Sequence, residues 1–152
     1  MGIPKSVVKI NRNGVTYTSS VDRASYTIKE LTRAALRDVG RFVSRTANSS
    51  AMQLKGLKRS KRVRGKSSAF QFWVRKNEGD LQVGIKHGTW YGVDQELGAN
   101  KQPKRGILRS SVYDNISTIV EIESKYLSAL EDEAAALALI SEEEYSGGGD
   151  DG

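Results

Sequence analysis

AFQFWVRKNEGDLQVGIKH, residues 69–87, alternates apolar and polar side chains on either side of a short polar turn. Phe70, Phe72 and Val74 fall on one side of the first run, and Leu81, Val83 and Ile85 on one side of the second. Asn77, Glu78 and Gly79 join them. A period of two around such a turn is the pattern of a half-buried β-hairpin. The segments before and after it have the period of a helix instead, and that change of period decides the class.

Upstream, Ile28, Leu31, Ala35, Val39 and Phe42 recur on one helical face, with Lys29, Arg33, Arg37 and Arg41 on another. This spacing predicts a helix over about 27–50. Ser25 or Thr27 would cap its start, and Glu30, three residues after Thr27, would complete a capping box. Downstream, Leu108, Val112, Ile116, Ile119, Val120, Glu123 and Leu127 follow helical spacing with one acidic lapse. Strong helix formers continue this segment to about Tyr145, as one long helix or a helix with a bend. The opening SVVKINRNGVTYTSS, residues 6–20, reads as a further hairpin turning at Asn11, Asn13 and Gly14. The expected fold is therefore α+β: a small antiparallel β-sheet packed against a long helix, with a C-terminal helix alongside or projecting. Residues 1–140 form one domain, and 141–152 are an acidic, Gly-rich disordered tail.

Charge is divided unevenly along the chain. Residues 1–112 carry 23 Lys or Arg against 7 Asp or Glu, and residues 113–152 carry one Lys against 11 acids. A basic body with an acidic end fits nucleic-acid affinity, and it fits equally a self-assembling subunit whose acidic segment meets a basic face on its neighbour. There is no cysteine, so disulfides and thiolate metal sites are excluded. Residues 1–30 contain no apolar run of signal-peptide length, and no stretch approaches the roughly 20 apolar residues of a membrane span. A soluble, unsecreted protein is expected.

Catalytic chemistry finds little footing. Gly65-Lys66-Ser67 matches the end of a phosphate-binding loop, but Ser60 stands where that motif needs glycine, and a basic coil precedes it instead of a strand. His87 is the only histidine, which excludes a two-histidine metal site. Asp94 and Glu96 are spaced for one helical turn; an acid accepting backbone or arginine hydrogen bonds in a tight connection fits better than a pair sharing a pocket. Trp90 and Tyr91 read as core anchors rather than stacking platforms. No enzyme activity, cofactor or metal is expected.

KGLKRSKRVRGK, residues 55–66, places Lys55, Lys58, Arg59, Lys61, Arg62, Arg64 and Lys66 among twelve residues with two glycines. Mutual repulsion predicts a loop. Its charges could neutralise phosphates without reading sequence, and no interleaved aromatic supports base stacking. A solvated loop, or one ordered by a partner subunit, fits the same residues.

The run from Trp90 through Tyr91, Gly92, Val93, Asp94, Gln95, Glu96, Leu97 and Gly98, then Lys101, Pro103, Leu108, Arg109 and Val112, resembles the signature of the tailed-phage tail-component family. That signature is a tyrosine, a small residue, a hydrophobe, a glutamate, an aromatic or hydrophobe, a glycine and a threonine, then a proline and a leucine-rich helix start. The order of elements is similar as well: helix, variable basic loop, hairpin, signature connection, closing helix. The chain has Ala99 where threonine is usual and Gly106-Ile107 where proline and phenylalanine are common.

The resemblance implies a structural virion protein at the head-to-tail junction, serving tail completion or neck joining, and present in the host cytoplasm during assembly. It implies a homo-oligomeric ring around the DNA channel, sixfold by tail symmetry with twelvefold as the alternative, in contact with neighbouring neck and tail proteins and not with a membrane. The basic loop would then touch genomic DNA or the next ring. Tyr91, Glu96, Gly98, Pro103 and Leu108 are the signature positions. On physical grounds, Tyr91 and Val93 can enter the core, Gly98 permits a backbone angle that a Cβ would obstruct, Pro103 stiffens the route and Glu96 anchors the turn. A small basic nucleic-acid-binding module is the alternative reading of the whole chain.

Overall fold

The structure, a computed structural model, describes residues 8–53, 70–86, 96–98, 101 and 104–146. The fold is α+β. Strands β1 (Val8–Arg12) and β2 (Val15–Ser19) form one antiparallel hairpin and lead into helix α1 (Val21–Met52). Strands β3 (Phe70–Arg75) and β4 (Asp80–Ile85) form a second. Helices α2 (Ile107–Tyr113) and α3 (Ile116–Ser128), a single 3-10 turn (Ala129–Glu131) and α4 (Glu133–Ser146) complete the chain. The hairpins are separate two-stranded sheets.

The second hairpin has the register its alternation predicts, pairing Phe70 with Ile85, Phe72 with Val83 and Val74 with Leu81. Its apolar face lies on α1 at Gly40, where an added Cβ would sit 2.7 Å from both Phe72 Cγ and Leu81 Cδ1. Glycine here lets the sheet approach the helix backbone. At the open end of the hairpin, Phe70 is pinned to α1 by Asn48. The Asn48 side chain donates to the Phe70 carbonyl (3.3 Å) and accepts from the Phe70 N–H (3.2 Å), in place of a neighbouring strand. At the turn end, Arg75 faces Asp80 across the ladder, its Nε donating to Asp80 Oδ1 at 2.6 Å, and Arg75 also pairs with Glu78. The hydrogen bond from Arg75 holds the Asp80 carboxyl below its ordinary range, and the same bond holds the guanidinium above its own.

Helix α1 begins at Val21, not near Thr27, because β2 hands over to it directly through Ser20. The Val21 N–H donates to Ser19 Oγ at 3.3 Å, and neither Ser25 nor Thr27 caps the helix. The Thr27 hydroxyl instead donates back to the Arg23 carbonyl (3.0 Å), inside the helix. The buried residues Leu31, Ala34, Val39, Val43, Ala47 and Ala51 are mostly four apart, so the buried stripe winds around the helix. Different elements cover it in turn. Leu31 and Ala34 meet α3 and α4, whereas Ala47 and Ala51 meet Phe70 and Ile107. Ile28, expected inside, is exposed.

The C-terminal segment breaks twice. The first break is at Asp114 and Asn115, where the Asn115 side-chain amide donates to the Ser111 carbonyl at 3.1 Å. The second is at Asp132, whose backbone is extended and whose carboxylate accepts the Ala134 N–H at 2.9 Å, capping α4. Helices α2 and α3 descend α1, from Ile107 beside Ala47 and Ala51 to Tyr126, whose hydroxyl donates to Asp38 (3.2 Å). Helix α4 then climbs back, from Glu133 paired with Arg23 (2.6 Å) to Ala136 and Ile140, which pack with Leu31 and Ala34. The last helix thus lies alongside α1 and reaches Ser146, close to the expected helix end near Tyr145. Residues 147–152 lie outside the described residues.

The face of α3 differs from the expected one. Tyr126 and Ala129 are buried and Ile122 packs with them, while Ile116, Val120 and Leu127 face outward. Alanines at 34, 129 and 136 share the cluster with Tyr126, and their small side chains let the helices approach closely around its ring.

Candidate functional site

The C-terminal end of α1 gathers the features that the sequence marks as distinctive. Both ends of the stretch carrying the basic residues are held there: α1 ends at Met52 with Ala51 buried, and Phe70 returns into the cluster formed with Ala47, Ala51 and Ile107. Lys55, Lys58, Arg59, Lys61, Arg62, Arg64 and Lys66 themselves lie outside the described residues, as do His87, Trp90, Tyr91, Asp94 and Pro103.

Glu96, Gly98 and Leu108 are described, and the structure brings them together. Helix α2 opens on Gly106, in the left-handed region at φ +56° and with no side chain to offer its orphan N–H groups. Glu96 supplies what is missing. Its Oε2 accepts the Leu108 N–H at 3.0 Å and its Oε1 the Arg109 N–H at 3.1 Å. A carboxylate at a helix N-terminus also complements the helix dipole, so both charge and geometry hold it there. Leu108, half-buried, packs against the cluster containing Phe70 and Ile107.

Gly98 lets the connection fold back on itself. It sits at φ +74°, and a Cβ on it would lie 2.7 Å from Lys104 Cβ and 3.0 Å from Lys104 Cα and N. Lys101 also takes a positive φ, 63°. The result is a clamp on the first turn of α2, whose Ile107 and Leu108 pack with Ala47 and Ala51 of α1 and Phe70 of β3. Asn48 belongs to the same end, and sequence reasoning missed it; the available signal was a weak helix former set between the apolar positions Ala47 and Ala51.

Lys101, Lys104 and Arg109, in or beside the clamp, are exposed, and the Arg109 guanidinium lies 5.3 Å from the centre of the Tyr113 ring. Among the described residues, no cluster of His, Asp and Glu could hold a metal, and no helix is long and apolar enough to cross a membrane. The chemistry of this end is positional and electrostatic.

No protein-family model, curated protein or solved structure matches the chain significantly.

The clamp makes a direct prediction. Glu96→Gln removes the charge and one of two acceptors and should cost about 1 kcal/mol, and Glu96→Ala about 2 kcal/mol. Urea denaturation measures both. Unchanged midpoints for the pair would mean that α2 does not depend on this carboxylate.

Proposed function

We propose that the chain is a structural virion protein of a tailed bacteriophage, forming a ring at the head–tail junction around the DNA channel. Its task there is tail completion or neck joining. The observation that carries this reading is the signature-like connection, in which the Glu96 carboxylate accepts the first N–H groups of α2 and Gly98 lies against Lys104 just ahead of that helix. A ring closes only when each copy repeats the same rotation to the next, so a subunit benefits from a connection that cannot swivel. The opposed charges of residues 1–112 and 113–152 supply complementary faces for such contacts. Sixfold symmetry is the first choice and twelvefold the second.

Electron microscopy of particles assembled with a tagged chain tests the reading, with density expected at the neck. Purified virions lacking the polypeptide would overturn it.

A second reading, a small basic nucleic-acid-binding module, is favoured by one observation: Lys101, Lys104 and Arg109 are exposed around the start of α2, whose Ile107 packs at the end of α1 from which the sequence continues into the Lys55–Lys66 run. Light scattering with a salt titration separates the two, since a monomer with steeply salt-dependent DNA binding fits only the module. Replacing Lys58, Arg59, Lys61, Arg62 and Arg64 with glutamine should leave the melting temperature within about 2 °C, as surface changes usually do. The same variant should reduce the yield of infectious particles at least tenfold if the loop serves joining or genome retention, because five phosphate-neutralising charges are gone. A normal yield would remove the loop from the function.

A further inference from the structure

Among the described residues, two apolar faces have no cover. The first belongs to the β1–β2 hairpin. Ile10, Arg12 and Val15 share one face by strand alternation and the Arg12–Val15 pairing, and Ile10 and Val15 are 54% and 52% exposed. Every described side chain of this hairpin is exposed. An isolated two-stranded hairpin is marginal in water and gains stability when its apolar face is packed. The β3–β4 hairpin does this against α1, at Gly40.

The second face is the outer row of α3 and the turn after it. Ile116, Val120, Glu123, Leu127 and Leu130 follow one another at steps of four and three, which keeps them on one side of the helix. Ile116 and Val120 are each 49% exposed and Leu127 is 64%. A groove against α1, lined by Leu31, Ala35, Tyr126 and Leu127, runs along its edge. The row spans about 20 Å at the helical rise, and a five-residue strand about 17 Å.

We infer that the hairpin face of one copy docks on the α3 row of another, joining copies head to tail. This rests on the reading of the chain as a self-assembling subunit. The charges make the match specific. Each apolar face contains one charged residue, Arg12 on the hairpin and Glu123 on the row, and the signs are opposite. Residues 8–19 carry Lys9 and Arg12 and no acid, whereas α3 carries Glu121 and Glu123 against Lys125. Two α3 rows pairing with each other would lack this match. Glu123 is the middle position of the five-residue row, so it would face Glu123 of the other copy in either orientation. Either arrangement encloses a carboxylate without a cation, which is costly. A hairpin on a helix row is a heterologous contact, and such contacts repeat into rings.

The chain has no cysteine, which makes cross-linking unambiguous. An Ile10→Cys chain and a Val120→Cys chain, mixed in equal amounts and oxidised, should give a disulfide between the two as the dominant product. Arg12→Glu should weaken association measured by light scattering about tenfold, as loss of a close interface charge pair does. Arg12→Glu combined with Glu123→Arg should restore it. A higher-order species without the mixed disulfide, or with Val120→Cys linked only to itself, would overturn this contact and leave the ring reading standing. A chain that stays monomeric up to millimolar concentration would overturn the contact outright, while its presence at the neck of particles would still be judged by microscopy.

Discussion

Gly40→Ala is expected to destabilise the chain by about 2 kcal/mol, as overpacking a close core contact does, although in an ordinary helix the same change stabilises by roughly 0.5–1 kcal/mol. The reversal has a specific cause. The added methyl would sit 2.7 Å from Phe72 Cγ and Leu81 Cδ1, so either α1 and the β3–β4 sheet separate or both side chains leave their positions. For a chain of this size the loss corresponds to a fall of about 5–8 °C in melting temperature. Leu81→Val in the Gly40→Ala background should recover part of it, because it removes volume from the obstructed side. A higher melting temperature for Gly40→Ala alone would show that the sheet does not lie this close to the helix.

Gly98→Val should cost more, about 3 kcal/mol, by combining left-handed backbone strain with a clash against backbone atoms. The clash is with Lys104 Cα and N, which cannot rotate away as the end of a flexible side chain can. Gly14 provides the control. It also has a positive φ, +77°, but an added Cβ there meets nothing within 4 Å. Gly14→Ala should therefore lose only the backbone share, about 1 kcal/mol, and the difference between Gly98→Ala and Gly14→Ala isolates the steric share. If the chain assembles as proposed, Gly98→Val should also abolish ring formation at temperatures where the folded fraction persists. An unaltered melting temperature together with full assembly would rule out this role for Gly98.

Much of this architecture was legible in the residue pattern. The β3–β4 register follows from alternation on both strands, since a slip by one residue would turn Phe72 and Leu81 away from α1. The roles of Glu96 and Gly98 in the connection were also readable, because a carboxylate needs donors and an unusual backbone angle favours glycine. The start of α1 was not, since its first turns are polar and Ser20 joins strand to helix without a side-chain cap. Asp132 was hidden within a run of strong helix formers, although its carboxylate caps a new helix there.

Helix α3 marks the boundary between the two kinds of information. Its residues present two apolar rows, one through Ile116, Val120 and Leu127 and one through Ile122, Tyr126 and Ala129, and helical period alone ranks the first higher. Sequence by itself determined the class, the two hairpins, the helical character of the C-terminal third and the turn chemistry ahead of it, because these depend on neighbours a few residues apart. Which row is buried was decided only in three dimensions. Asp132 reverses the chain, Ala136 arrives beside Ala34, and the row through Ile122, Tyr126 and Ala129 is the one that meets them, which leaves Ile116, Val120 and Leu127 at the surface.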